Sequence, residues 1–130
     1  MVSVSAVTEG IIVSAEVVYR PEYSRSNERG YIFTYQITIE NCSKYTIQLL
    51  SRHWYIFDSQ NTRRETKGEG VVGQQPILEP NQSHQYTSAC NLNSEFGTMH
   101  GTYTMHRISD DRLFNVKIPI FTMEVPFKLN

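Results

Sequence analysis

Alternation of apolar and polar side chains outlines the chain. From Ile11 the period is two, with Val13, Ala15, Val17 and Tyr19 on one face and Ser14 and Glu16 on the other, which predicts a first strand. Residues 1–10 carry no sustained pattern and are expected to form a loose terminus that joins a sheet edge at its end. After a polar connection that includes Pro21 and Gly30, residues 31–40 set Tyr31, Phe33, Tyr35, Ile37 and Ile39 against Ile32, Thr34, Gln36, Thr38 and Glu40. That pattern predicts a strand with one face buried and one largely wet.

Asn41-Cys42-Ser43-Lys44 has the length and composition of a turn, so residues 45–50 are expected to return as the antiparallel hairpin partner of 31–40. Residues 51–57 continue extended and carry His53, Trp54, Tyr55, Ile56 and Phe57, a run aromatic enough to be covered on both sides. A second turn at 58–61 leads to a short charged strand over 62–67, where Arg63, Arg64 and Lys67 guard an edge. Beyond a glycine-rich stretch at 67–77, Pro76 and Pro80 frame Ile77, Leu78 and Glu79, and a strand is predicted over 84–90. Met99, Gly101, Tyr103 and Met105 alternate with His100, Thr102, Thr104 and His106. Asp110 and Asp111 mark a hairpin turn before a closing strand over 113–121. Its apolar face is read as Phe114, Val116, Ile118 and Ile120, with Pro119 where no ladder bond is required. Seven or eight short strands without a helix make a single all-β domain of 130 residues, an antiparallel two-sheet sandwich, with a closed barrel as second choice.

Charge and cysteines narrow the function classes. Twelve Lys and Arg against thirteen Asp and Glu give a formal charge of -1, so no global field draws in nucleic acid or an anionic membrane. No leader-like segment and no run of ~20 apolar residues occurs, so a cytoplasmic location without membrane contact is expected. Cys42, Trp54 and Cys90 follow the cysteine-tryptophan-cysteine order of immunoglobulin domains, but Cys42 has the wet phase of Thr34, Gln36 and Thr38. Ser88, rather than a tyrosine, stands two residues before Cys90, and no disulfide is expected.

The one stretch that suggests chemistry is Gly68, Gly70 and Gly73, which spell G-x-G-x-x-G. A dinucleotide fingerprint needs a helix opening after it, whereas Val71, Val72 and Pro76 follow here. A looser nest of amides could take an anion, helped by Arg63, Arg64 and Lys67 and opposed by Glu69. The favoured reading is that these glycines let the chain turn, bulge and cross between sheets. His100 and His106 stand six residues apart, roughly 20 Å along a strand, too far to share a metal. No metal, cofactor or catalytic residue is expected. Arg52, Trp54 and Tyr55 could form a stacking platform for single strands, but a Trp on an interior strand reads as core.

Several separated motifs in order carry a family likeness. They are Tyr31-Ile32-Phe33-Thr34-Tyr35, Gln48-Leu49-Leu50-Ser51-Arg52-His53-Trp54, Arg64-Glu65, Gly68-Glu69-Gly70-Val71-Val72-Gly73-Gln74-Gln75-Pro76, Tyr86-Thr87-Ser88 and Gly97-Thr98-Met99-His100-Gly101-Thr102-Tyr103-Thr104-Met105. Together they strongly resemble the bacterial ApaG family over residues 11–125. The likeness departs at Asn81 and Ala89, where the family commonly has Gly; Asn tolerates positive φ and can keep the turn. The resemblance implies a fibronectin-III-like or immunoglobulin-like sandwich. It also implies a non-enzymatic protein-interaction module with an unidentified protein partner, with a homodimer through a sheet edge as one form. An old family label adds an indirect role in divalent-cation (cobalt and magnesium) homeostasis. The alternative is a binder of phosphorylated small molecules, such as a nucleotide, a dinucleoside polyphosphate or pyrophosphate, through the glycine-rich loop. The expected ligand or partner surface comprises Gly68, Glu69, Gly70, Val71, Val72 and Gly73 with Arg63, Arg64 and Lys67. It is joined by Tyr86, Thr87, Ser88, Gly97 and Gly101, since few bulky side chains let a partner's backbone approach closely.

Overall fold

The computed structural model describes residues 3–23, 30–59 and 62–126. Its strands are β1 (Ser3–Thr8), β2 (Ile11–Tyr19), β3 (Tyr31–Asn41), β4 (Ile47–Asp58), β5 (Thr62–Glu69), β6 (Ile77–Leu78), β7 (Ser83–Leu92), β8 (Phe96–Arg107) and β9 (Arg112–Glu124), with a 3-10 turn at Ile108–Asp110. One antiparallel sheet has the order β1-β2-β3-β7 and the other β5-β4-β8-β9, with β6 paired to β4 beyond the end of β5. The sheets enclose one core, giving the expected sandwich.

Inner faces follow the period of two. Ile11, Val13 and Ala15 of β2, Phe33, Tyr35, Ile37 and Ile39 of β3, and Met99, Tyr103 and Met105 of β8 are buried. Trp54 is core, meeting Tyr35, Phe121 and Tyr103 edge-on at centroid distances of 5.4, 5.9 and 6.5 Å. Cys42 is exposed and Cys90 buried, both as free thiols.

Four expectations change. The N-terminus is not loose: Ser3–Thr8 pairs along β2, joined to it through Glu9 (φ 50) and Gly10 (φ 81), a two-residue turn whose positive φ values match strand twist. Its inward residues, Val4, Ala6 and Thr8, are small, which is why the alternation is faint.

The 31–40 and 45–50 segments do not form a hairpin, because β3 pairs with β2 and β7 while β4 lies in the other sheet. The chain crosses at Asn41, which has the inward phase of β3 and is fully buried. Its Nδ2 donates to Tyr45 O (2.7 Å) and Leu78 O (2.9 Å), and its Oδ1 accepts from Ser43 N (3.0 Å) and Ser43 Oγ (2.6 Å). A buried amide satisfied on both ends ties the crossing to β6.

The aromatic run of β4 is covered on one side only. A bulge at Leu50 switches the inward phase from Ile47 and Leu49 to Trp54, Ile56 and Asp58. His53 and Tyr55 stack on the outer face, with Tyr55 also against His100. A second bulge, in β9, pairs Met99 with Phe121 but Gly101 with Ile118. Phe121 and Met123 are therefore buried, whereas Ile120, expected inward, is 58% exposed. Pro119 sits in this bulge, where its missing N–H costs no ladder bond. Asn81 keeps the turn after Pro80 with φ 73.

The two long sides of the sandwich differ. On one, β1 and β2 pack against β9, Lys117 N donates to Thr8 Oγ1 (3.1 Å), and Arg112 forks onto Glu9 at 2.6 and 3.2 Å. On the other, the edges β5 and β7 face each other, and among the described residues of β5 only Arg64 hydrogen-bonds to β7.

Candidate functional site

β5, the glycine stretch and β6 run in succession along the same side of β4, so the stretch does not cross between sheets as expected. It follows β4 across the bulge at Leu50. Gly70 N donates to Leu50 O at 2.8 Å, Gln75 Nε2 donates to the same oxygen at 2.9 Å, and Leu49 N donates to Pro76 O at 3.0 Å. Val71 and Gln74 exchange both backbone bonds (2.8 and 3.0 Å) around Val72 (φ 48) and Gly73 (φ 76), a two-residue hairpin turn. Gly70 has φ 64, and a Cβ on it would collide with the Gln74 carbonyl oxygen. The amides of Gly70, Val71 and Gln74 are thus spent in backbone bonds, which leaves those of Val72 and Gly73 at the exposed tip.

The basic residues expected to converge on this loop do not. Register places Arg63, Glu65 and Lys67 opposite Phe57, Tyr55 and His53 on the outer face, and Arg64, Thr66 and Gly68 opposite Ile56, Trp54 and Arg52 on the inner one. Arg63 lies over the Phe57 ring at 5.5 Å, seven residues from Gly70, or roughly 23 Å along the strand. Glu65 Oε2 pairs with His53 Nε2 at 2.5 Å. Arg64 reaches the other sheet, donating from Nη2 to Asn91 O (2.5 Å) and Cys90 Sγ (3.6 Å). Gly97 and Gly101 are buried rather than part of a surface. A Cβ on Gly97 would stand 2.5 Å from Phe57 O, and one on Gly101 would collide with His53 O.

What the fold does bring together lies between the facing edges. The β4 bulge turns Arg52 inward, half-buried, and its Nη1 donates to Glu69 O (3.0 Å) and Gly70 O (2.9 Å). A Cβ on Gly68 would stand 2.7 Å from Arg52 Cζ, so the missing side chain makes room for the guanidinium. Nη1 thereby spends both its hydrogens, while Nε and Nη2 donate to no described residue. No buried side-chain polar atom lacks a partner among the described residues, so these two donors are not sealed from solvent. Alongside are Tyr35, Tyr86 and Tyr103, with Tyr86 Oη and Tyr103 Oη 2.5 Å apart. Burial pushes all three phenols up; the Ser88 hydroxyl offsets part of this at Tyr35, and the positive charge of Arg52 acts in the same direction on each. Of the residues expected from sequence, Gly68, Gly70, Tyr86 and Ser88 meet here. Arg52, which the sequence raised only for a stacking platform with Trp54 and Tyr55, is the member not expected in this surface. Its period of two points it outward until the bulge is known.

Thr87 contributes backbone. Asn41 N donates to Gln82 O (2.9 Å) and Asn81 N to Asn41 O (2.7 Å), while Cys42 N turns the other way, to Gly10 O (2.8 Å). Odd-numbered residues of β3 therefore bond toward β7. In the β3–β7 register Ile37 pairs with Tyr86 and Tyr35 with Ser88, so Gln85, Thr87 and Ala89 direct their N–H and C=O away from the sheet. Over its 10 residues, Ser83–Leu92, this edge strand has no Lys, Arg, Asp, Glu or Pro. Such residues are how sheet edges are ordinarily guarded, and β5 has five of them.

Among the described residues no group of three His, Cys, Asp or Glu side chains could hold a metal ion, and no helix is long and apolar enough to cross a membrane. The model of the ApaG domain matches residues 21–107. The chain belongs to the ApaG family. Among curated relatives, Protein ApaG of Anaeromyxobacter dehalogenans is 44% identical over 126 residues, covering 97% of this chain and 98% of that protein. Protein ApaG of Brucella canis is 43% identical over 122 residues, 94% and 93% of the two chains. A crystal structure of a Bordetella pertussis protein called ApaA superposes with a TM-score of 0.85 at 38% identity, over 91% of this chain and 95% of that one. The ApaG match includes the whole of β3 to β7, and with them the Arg52 cleft and the β7 edge.

Proposed function

We propose that this ApaG-family domain is a non-enzymatic protein-interaction module that takes a segment of another protein as an added strand along β7. The observation that carries this reading is the outward-directed backbone of Gln85, Thr87 and Ala89 on an uncharged edge of 10 residues. Main-chain bonds to such an edge give affinity, and alternate side chains of the guest give specificity. Any influence on divalent-cation balance then runs through the partner rather than through a site on the domain.

The test is a selection of peptide segments by the immobilised domain, followed by hydrogen exchange. Bound segments are expected to protect the amides of Gln85, Thr87 and Ala89, and Thr87→Pro is expected to abolish capture. That substitution removes an outward N–H and no native ladder bond. A selection that yields no binders, or binders that Thr87→Pro retains, overturns the reading.

A further inference from the structure

The free side of Arg52 says what the added strand must bring. A residue of that strand opposite Tyr86 or Ser88 shares their inward face, because directly opposed residues of paired strands point the same way. Tyr86 and Ser88 point into the sandwich, toward the inner face of the second sheet. On that sheet, the inward edge positions between Arg64 and the loop are Thr66 and Gly68, and the Arg52 guanidinium occupies the side-chain space of Gly68. An inward side chain of the guest thus meets Arg52. Nη1 is engaged by two carbonyl oxygens, which leaves the edge formed by Nε and Nη2 as a planar pair of donors. That edge matches the two oxygens of a carboxylate.

We propose, resting on the strand-addition reading, that the segment bound at β7 carries an aspartate or glutamate on its inward face, opposite Tyr86 or Ser88, and that Arg52 binds its carboxylate side-on. Arg52 has no carboxylate partner among the described residues, so a guest acid gives the half-buried charge its counterion. A second copy of this chain, added β7 to β7, fits less well. Its Ser83–Leu92 segment has no acidic residue and cannot neutralise Arg52. Nor does the glycine loop compete for the ligand, since Glu69 and Gly70 take part only through the carbonyl oxygens that hold Nη1 in place.

The test runs the same peptide selection on the wild-type domain, Arg52→Gln, Arg52→Lys and Thr87→Pro, with folding of each checked by its amide NMR spectrum. Wild type is expected to enrich Asp or Glu at one register position. Exchanging that residue for its amide should weaken binding about tenfold in wild type, the loss of one charge-assisted pair. The same exchange should have no effect on Arg52→Gln. Arg52→Lys, which keeps the charge without the fork, should recover only part of the preference. Binders that need the β7 edge but show no acidic preference, or show the same preference on Arg52→Gln, overturn the Arg52 inference and leave strand addition standing. Binders indifferent to Thr87→Pro remove strand addition itself. Concentration-dependent dimerisation that Thr87→Pro abolishes would make a second copy the occupant and overturn the acidic segment.

Discussion

The Arg52 guanidinium lies where a side chain on Gly68 would be, with Cζ 2.7 Å from the position of that absent Cβ. Since the obstacle is the far end of a flexible side chain, Gly68→Ala is expected to fold and to expel the guanidinium into solvent. Two bonds from a charged donor are lost, one exposed and one half-buried, so stability should fall by about 1–2 kcal/mol in urea titration. The Arg52 Nε resonance should move in the same variant. An unmoved resonance would show that the guanidinium is not seated over Gly68.

The hairpin turn after Gly70 holds two residues whose conformations ask for opposite changes. Val72, β-branched and 64% exposed, has φ 48, so Val72→Asn is expected to raise stability by about 1 kcal/mol. Gly70→Ala would combine a left-handed backbone with a collision against a main-chain carbonyl and should cost more than about 2 kcal/mol. Equal and small effects of the two substitutions in thermal unfolding would contradict this turn geometry.

Asn41 joins three segments by its side chain alone. Asn41→Ala would leave the carbonyl oxygens of Tyr45 and Leu78 without its amide and should destabilise the domain by about 2–3 kcal/mol. Chemical denaturation measures this directly; a loss below about 0.5 kcal/mol would mean the sheet crossing is held by other contacts.

Tyr35, Tyr86 and Tyr103 give the domain an alkaline limit. Burial raises each phenol in the folded state, so the native protein keeps protons that the unfolded chain releases near pH 10. The stabilisation is complete below pH 10 and is lost as pH rises beyond it. A spectrophotometric titration at 295 nm should lack the signal of these three phenols just above pH 10 and recover it with unfolding. Full reversible ionisation of all eight tyrosines near pH 10 would place the three in water.

Strand content and the inward faces of β2, β3 and β8 were legible because a period of two needs only local sequence. The edge character of β5 was legible from Arg63, Arg64 and Lys67. The two bulges were not. One extra residue at Leu50 reverses the phase downstream and brings Arg52 inside; another around Pro119 sends Ile120 out and Phe121 in. Nor could Asn41 be seen to start a crossing, since its turn-like surroundings also suit a hairpin, and its two carbonyl partners include one 37 residues away.

The sequence by itself determined an all-β sandwich and ApaG-family membership, because alternation and ordered motifs are properties of the chain read in line. It also singled out Gly68, Gly70, Tyr86 and Ser88 as residues of one surface. Only the tertiary structure decided that these meet around Arg52, that Gly97 and Gly101 are interior, and that Arg63 and Lys67 lie on the outer face of β5. Strand order and bulge position set which edges face each other and which side chains lie between them, and both depend on pairings between residues far apart in the chain.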